Sequence, residues 1–170
     1  MTDNPKRDWR ELARLAATEQ DPQKLLNIIT ELNAALLEKE RRRRGAKPKA
    51  LVVDDDTTIR QTLIPVLQKR GYEAEFAGSV PNAVSTIEHG IFDVLVRDLN
   101  IDKPGDGFGV VKAMRKTHPR SVIVLFTGYP GFDSALEGIR QDVDDYLVKP
   151  VDYDVLIKTL EARLSAQRAL

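Results

Sequence analysis

Four short, wholly apolar runs rich in β-branched residues constrain the fold of this chain more than any other feature. They span 50–53, 94–96, 122–126 and 146–148, and a weaker run of the same kind spans 73–77. Strands have this composition when both faces of their sheet are covered, as in a parallel sheet flanked by helices. The runs therefore predict an α/β protein with a parallel sheet.

Amphipathic stretches separate these runs and read as helices. They span 57–70, 81–89, 107–117, 133–141 and 153–167. Five strand-then-helix units within about 120 residues predict a five-stranded, doubly wound parallel sheet whose ligand binds beyond the carboxyl ends of the strands. Pro65 falls inside the first of these helices, where it should kink the helix or require local repair.

Residues 1–46 have a different pattern and are predicted to form a helical hairpin. Asp8 and Glu11 have the spacing of a capping box for a first helix, and Asp21-Pro22 starts a second one. The second helix carries an apolar stripe formed by Leu25, Ile29, Leu32 and Leu36 and widened by Leu26, Ile28 and Leu37. Such a stripe must pack against the first helix, a second chain or the rest of the protein.

Composition excludes several classes of site. The chain has no cysteine, so disulfides, thiolate zinc sites and cysteine nucleophiles are excluded. Its only histidines, His89 and His118, are too few for a three-histidine metal site and are predicted to be surface residues. No secretory signal and no run of about 18 apolar residues is present, which predicts a cytoplasmic protein without a membrane partner.

Charge is distributed unevenly along the chain. Residues 1–49 contain 12 basic and 8 acidic residues, and the remainder contains 14 basic and 18 acidic ones. The basic excess is concentrated in the run 41–44, which has no interleaved aromatic residue and is more typical of a solvated helix end than of a nucleic-acid contact. We therefore expect no nucleic-acid partner.

Reactive side chains stand where the apolar runs end. They are Asp54, Asp55 and Asp56 after the run 50–53, Asp98 after 94–96, Thr127 after 122–126, and Lys149 after 146–148. Loops after parallel strands meet at one edge, so several carboxylates, a hydroxyl and an ammonium should converge there. Carboxylates that converge repel each other unless a divalent cation neutralises them, and Mg²⁺ prefers such oxygen ligands.

The segments LVVDDD, VRDLN, LFTGY and YLVKP, in this order and spacing, resemble the receiver (CheY-like) domain of bacterial two-component response regulators. The resemblance covers about residues 48–168. It implies a receiver domain over 47–170 with the flavodoxin-like strand order 2-1-3-4-5. It also implies a signalling switch that a histidine kinase or a phosphotransfer protein phosphorylates, and no dedicated enzymatic turnover.

The resemblance also assigns roles to the residues at the strand ends. Asp98 would accept the phosphoryl group, and Mg²⁺ would be held by Asp98, Asp55 and the backbone carbonyl of Asn100, with Asp54 binding through water. Lys149 and the Thr127 hydroxyl would contact the phosphoryl oxygens, and Gly128 would leave room for the group to enter.

The switch residues follow from the same resemblance. Thr127 would move toward the phosphoryl group, and Tyr146 would turn toward the space it leaves. Lys149-Pro150 is where the family often has a cis peptide bond. Arg97 and Tyr129 flank the pocket, and either a role in phosphate lifetime or an exposed side chain without a role fits their position.

Several alternatives stay open. The hairpin, residues 8–44, is predicted to form a homodimer through a four-helix bundle, and docking on the receiver with release on phosphorylation is the second hypothesis. Without a histidine, it cannot act as a kinase hairpin.

Because no DNA-binding segment follows the receiver here, output is expected through protein contact, with the downstream partner unknown. The competing functions are a receiver-like module that works without phosphate and an Mg²⁺-dependent aspartyl-phosphate phosphatase. The phosphatase is disfavoured because Asn100 stands where such enzymes have a second aspartate.

Overall fold

The structure is a computed structural model, and it describes residues 8–43, 45–99, 107–128 and 143–168. The helices are α1 Trp9–Thr18, α2 Pro22–Arg43, α3 Thr57–Lys69, α4 Val80–His89, α5 Gly107–Thr117 and α6 Tyr153–Arg168. The strands are β1 Lys49–Val53, β2 Glu73–Ala77, β3 Val94–Asp98, β4 Val122–Thr127 and β5 Asp145–Val148. The helix predicted over 133–141 lies outside the described residues.

The five strands form one parallel sheet in the order β2-β1-β3-β4-β5. This confirms the predicted fold class and strand order. Alternate residues of each strand enter opposite cores: Val52 and Val96 pack on the side of α3 and α6, whereas Leu51 and Leu95 pack on the side of α4 and α5. Both faces of the central strands are therefore buried, which explains the wholly apolar runs 50–53, 94–96 and 122–126.

Helix α3 continues through Pro65 from Thr57 to Lys69. Proline has no N–H for the carbonyl of Gln61, and both residues are exposed, so water can satisfy that carbonyl. Leu63 and Leu67, on the other side of the helix, are fully buried. The proline thus occupies the one face of α3 where a missing backbone hydrogen bond costs little.

Helices α1 and α2 pack against each other and confirm the predicted hairpin. Leu12, Ile28 and Ala35 are buried between them, and the Lys39 ammonium lies 3.9 Å from the centroid of the Trp9 ring. The predicted stripe on α2 is not a single surface, however. Ile28, Leu32 and Ala35 face α1, whereas Leu26, Ile29, Leu36 and Leu37 are exposed.

Asp8 precedes α1 as predicted, but its side chain makes no capping hydrogen bond, so the predicted capping box is wrong. Its carboxylate accepts a hydrogen bond from Arg10 at 3.3 Å and lies 3.9 Å from the Arg120 guanidinium. The two cations draw the carboxylate away from the free amides of the helix.

The hairpin lies beside the amino ends of β3 and β4. A groove of about 300 Å³ separates it from the α/β body, residues 49–168. The groove is lined by Leu12, Ala34 and Leu37 on one side and by Ile91, Phe92 and Arg120 on the other. This edge of the sheet is opposite to the one where the strand-end carboxylates collect.

His118 is half-buried at this amino edge, so its predicted surface position is wrong. One ring nitrogen lies 3.0 Å from the carbonyl oxygen of Gly90 and the other 2.7 Å from the Thr117 hydroxyl. The ring meets Phe92 edge-on. The imidazole therefore joins the loop before β4 to the loop before β3.

Replacing Leu67 by alanine should lower the free energy of unfolding by about 2–5 kcal/mol, because a fully buried side chain is deleted from the α3 core. The neighbouring exposed Gln68→Ala should change it by less than about 0.5 kcal/mol. Urea unfolding followed by circular dichroism measures both. Equal effects of the two substitutions would contradict the described packing of α3.

Candidate functional site

The parallel register brings the carboxyl ends of β1 and β3 to one edge of the sheet. Val53 of β1 pairs with Arg97 of β3, so the next residues, Asp54 and Asp98, become neighbours. The Asp54 N–H donates to the carbonyl of Ala77 at 3.2 Å, which fixes the backbone beyond β1. Both aspartates are thus positioned by ordinary strand pairing.

Three carboxylates meet at this edge, as predicted. Asp54, Asp55 and Asp98 each offer an oxygen, and these oxygens all lie within 4.8 Å of one another. Asp54 is 1% exposed and Asp98 is 8% exposed, whereas Asp55 is exposed to solvent. The cluster therefore has a buried base and an open side.

Lys149, just beyond β5, supplies a cation to this cluster. Its Nζ donates to Asp98 Oδ2 at 2.7 Å and to Asp54 Oδ2 at 3.0 Å. The peptide bond between Lys149 and Pro150 is cis, as the sequence predicted. Burial alone would lower the pKa of Lys149, but the hydrogen bonds to Asp98 and Asp54 outweigh it and raise the pKa above its usual value. The amine is therefore held as an ammonium.

Burial raises the pKa of Asp54 above its ordinary value, although hydrogen bonds from the Asp56 amide and from Lys149 act in the opposite direction. The ionised form of Asp54 is consequently less stable in the folded chain than in water. Asp56 behaves differently: it is exposed, caps α3 by accepting from the Thr58 N–H at 2.8 Å, and has a lowered pKa because of that bond. This confirms its predicted role as a helix cap.

The charges of the cluster fit a divalent cation. Three carboxylates face one ammonium, which leaves two negative charges when all are ionised. Hard carboxylate oxygens are the ligands of Mg²⁺, which commonly keeps several waters and binds one or two carboxylates. The open side at Asp55 leaves space for such waters.

Comparison with known proteins bears on the same residues. A model of the response regulator receiver domain matches residues 50–161, which is most of the chain. The chain belongs to this family. The receiver assignment is thereby confirmed. Receiver domains are the phosphorylation switches of two-component systems, and histidine kinases supply their phosphoryl groups.

Individual relatives agree. RegA, the photosynthetic apparatus regulatory protein of Rhodobacter capsulatus, is 31% identical over 119 residues, which are 70% of this chain and 64% of RegA. The transcriptional regulatory protein ZraR of Salmonella typhimurium is 31% identical over 118 residues, which are 69% of this chain and 26% of ZraR. The chain thus spans about a quarter of the length of ZraR.

A solved structure shows the same fold. The CheY-like receiver domain protein of Methanospirillum hungatei JF-1 superposes with a TM-score of 0.69 at 26% identity, covering 73% of this chain and 98% of that one. Within the described part of the chain, none of the helices combines the length and apolarity that a membrane span requires.

Some predicted residues of the receiver site are only partly described or lie outside the description. Thr127 ends β4 and its backbone pairs with Val148, which places it at the carboxyl edge; its side chain is outside the described set. Asn100 and Tyr129 also lie outside the described residues. A Cβ added to Gly128 would meet no described atom within 4 Å, which fits an open approach at this position.

Tyr146, the predicted switch aromatic, lies in β5 and packs against the α4/α5 core of the receiver. Its side chain is half-buried, and among the described residues its buried hydroxyl has no hydrogen-bond partner. The ring is therefore held mainly by apolar contacts. Such contacts allow a rotation more readily than a hydrogen-bonded hydroxyl does.

Arg97 is fully buried, so the alternative of an exposed side chain without a role is wrong for this residue, whereas a role in phosphate lifetime stays a prediction. It is among the largest fully buried side chains of the described residues, and its Nε donates to the backbone carbonyl of Asp98 at 2.7 Å. A charged residue within an otherwise apolar strand was the available signal. The arginine contacts Asp98 from the backbone side, whereas Lys149 contacts its carboxylate.

Asp54→Asn should raise the free energy of unfolding in Mg²⁺-free buffer at pH 7, because it removes a buried charge whose desolvation raises its pKa. The gain should shrink as the pH falls through the folded-state pKa toward 3.8, where wild-type Asp54 becomes neutral in both states. Chemical denaturation at several pH values measures this effect.

Asp56→Asn is the matched control for this experiment. Asparagine caps helices as well as aspartate, so stability at pH 7 should change little. A loss of stability in Asp54→Asn at pH 7 would contradict the described balance of burial and ion pairing.

Proposed function

We propose that this receiver domain accepts a phosphoryl group on Asp98 from the phosphohistidine of a histidine kinase or a phosphotransfer protein. The observation that carries the proposal is the contact of Asp98 Oδ2 with the Lys149 ammonium, 2.7 Å away, inside a cluster of three carboxylates. A cation beside the attacking oxygen stabilises charge on the phosphoryl oxygens during transfer.

Asp98 is better placed for this role than the other two carboxylates. Both oxygens of Asp54 are bonded within the protein, Oδ1 to the Asp56 N–H and Oδ2 to Lys149, and the residue is almost completely buried. Asp55 has no described contact with Lys149 and is exposed. Asp98 combines contact with the cation and a position at the end of the central strand, β3.

The transfer balances without a further reactant. A carboxylate oxygen of Asp98 forms a bond to phosphorus, the N–P bond of the phosphohistidine breaks, and its electron pair stays on the imidazole. The Lys149 ammonium and the Thr127 hydroxyl would contact the transferred oxygens. The receiver changes state and turns over no separate substrate, so we do not propose a dedicated enzymatic activity.

Asp54, Asp55 and Asp98 would hold the Mg²⁺ ion, with the Asn100 carbonyl as a further ligand and Asp54 acting through water. When bound, the ion supplies positive charge to the carboxylates and to the phosphoryl oxygens. The support for this proposal is the uncompensated negative charge of the cluster and its open side at Asp55.

The proposed signal is a change in the packing of Tyr146. Thr127 would move toward the phosphoryl group on Asp98, and the Tyr146 ring would rotate into the space it leaves, which alters a surface read by another protein. The absence of a hydrogen bond to the Tyr146 hydroxyl among the described residues supports such a rotation.

Several relatives are named transcriptional regulators, so the absence of a nucleic-acid partner stays a prediction.

Incubation with acetyl phosphate and Mg²⁺ should add one phosphoryl group to the wild-type chain, because Asp98 lies next to Lys149 and the metal site. Asp98→Asn should give no adduct, and EDTA should abolish the wild-type adduct. Intact-mass spectrometry measures both.

Asp56→Asn is the control, since it changes an adjacent aspartate that only caps α3, and it should retain the adduct. An adduct that persists in Asp98→Asn would contradict the acceptor assignment. A folded wild-type chain without an adduct would favour the module that works without phosphate.

Mg²⁺ should raise the thermal stability of the wild-type chain, by about 2.7 kcal/mol at one hundred times its dissociation constant. Asp55→Asn should lose most of this increase, because it removes a ligand from the open side of the cluster. Thermal unfolding with Mg²⁺ or EDTA at matched ionic strength measures it. An undiminished increase in Asp55→Asn would place the ion elsewhere.

A further inference from the structure

Helix α2 has three faces, and only two of them are covered. One packs on α1 through Ile28 and Ala35, and a second lines the groove toward the α/β body through Ala34 and Leu37, with Asn33 at its border. The third face carries Leu26, Ile29, Asn33, Leu36 and Glu40. We call these five residues the α2 seam. Leu26 is 58% exposed, Ile29 40% and Leu36 39%.

The α2 seam has the spacing of a coiled coil. Its members are separated by 3, 4, 3 and 4 residues, which is the a/d pattern of a heptad repeat. Leu37, 54% exposed, lies between the seam and the groove. An exposed apolar face that packs on neither α1 nor the α/β body is a candidate interface with another chain.

We propose that the α2 seam binds the α2 seam of a second copy of this chain in an antiparallel arrangement. A heptad seam is self-complementary, since its a and d residues fit the spaces left by the same residues of an identical helix. The 22 residues of α2 make a helix of roughly 33 Å, long enough for several such layers.

Charge selects the antiparallel direction. Asp21 directly precedes α2, whereas the last three residues of α2, 41–43, are arginines. A parallel pair would bring the two basic ends together, and like charges at close range repel. In an antiparallel pair each basic end lies beside the acidic start of the other helix.

The apolar residues fix the register. In an antiparallel coiled coil the a residues of one helix lie opposite the d residues of the other, which sets Leu26 of one copy opposite Leu36 of the second. The same register sets Ile29 opposite Asn33 and Asp21 opposite Arg41.

Cysteine cross-linking tests both direction and register. The chain has no cysteine, so introduced thiols are the only ones present. Leu26→Cys and Leu36→Cys chains, co-expressed with different tags, should form a mixed disulfide dimer under mild oxidation. Each variant alone should stay unlinked, because ten residues of helix separate the two sites by roughly 15 Å, beyond the reach of a disulfide.

Asn27→Cys is the matched control for the cross-link. Asn27 is exposed on α2 but outside the seam, so its combination with Leu36→Cys should give no mixed disulfide. A disulfide between two Leu26→Cys chains would overturn the antiparallel arrangement. The absence of any link between Leu26→Cys and Leu36→Cys would overturn the interface.

Light scattering after size-exclusion chromatography independently measures the molar mass of chains that carry no introduced cysteine. The wild-type mass should be 38.2 kDa, twice the 19.1 kDa of one chain, and Leu26→Glu with Leu36→Glu should reduce it to 19.1 kDa. Asn27→Glu should remain dimeric. Circular dichroism shows that the variants are folded, and a wild-type mass of 19.1 kDa would overturn the proposal.

Discussion

The hydrogen bonds from the Lys149 ammonium to Asp98 and Asp54 join three strands across the carboxyl edge of the sheet. The parallel topology makes these residues neighbours, because the carboxyl ends of all five strands lie at one edge of the sheet. Aspartates at the ends of β1 and β3 therefore repel each other wherever the sheet forms. A single lysine beyond β5 compensates part of that repulsion and keeps the edge together before any ligand arrives.

Lys149 neutralises only part of the negative charge of the three carboxylates, and the remaining charge can attract a cation. The pKa of Asp54 stays above its ordinary value because burial outweighs its hydrogen bonds. An edge with excess negative charge favours a divalent cation, and the cation and Lys149 together favour an incoming phosphoryl group. Burying Asp54 thus lowers the stability of the fold and raises the affinity of the cluster for a divalent cation. Such a trade-off between stability and function is common in functional sites.

Much of this arrangement could be predicted from the sequence. Uniformly apolar strands identified the parallel sheet, since little else buries both faces of so short a run, and the residues at the strand ends then identified the cluster around Asp98. The motif resemblance added the strand order and the cis bond before Pro150. These features depend on local sequence and on the topology that it implies.

Features that depend on packing between distant segments could not be predicted in this way. The periodicity of the sequence grouped the apolar residues of α2 into one stripe. It could not show that α1 packs only on the face with Ile28 and Ala35. The capping spacing at Asp8 was present, yet Arg120, far away in the sequence, lies near its carboxylate. Arg97 was misplaced for a related reason, since burial on both faces of β3 leaves its side chain no path to solvent.

The hairpin and the carboxylate cluster lie at opposite edges of one sheet, separated by strands of about five residues, roughly 16 Å. The proposed pairing and the proposed phosphoryl transfer would therefore depend on residues that do not touch. Two proteins could share the carboxylate cluster, differ only along α2, and still pair with different partners. In this architecture, a substitution along α2 would change the choice of partner and leave the cluster around Asp98 unchanged.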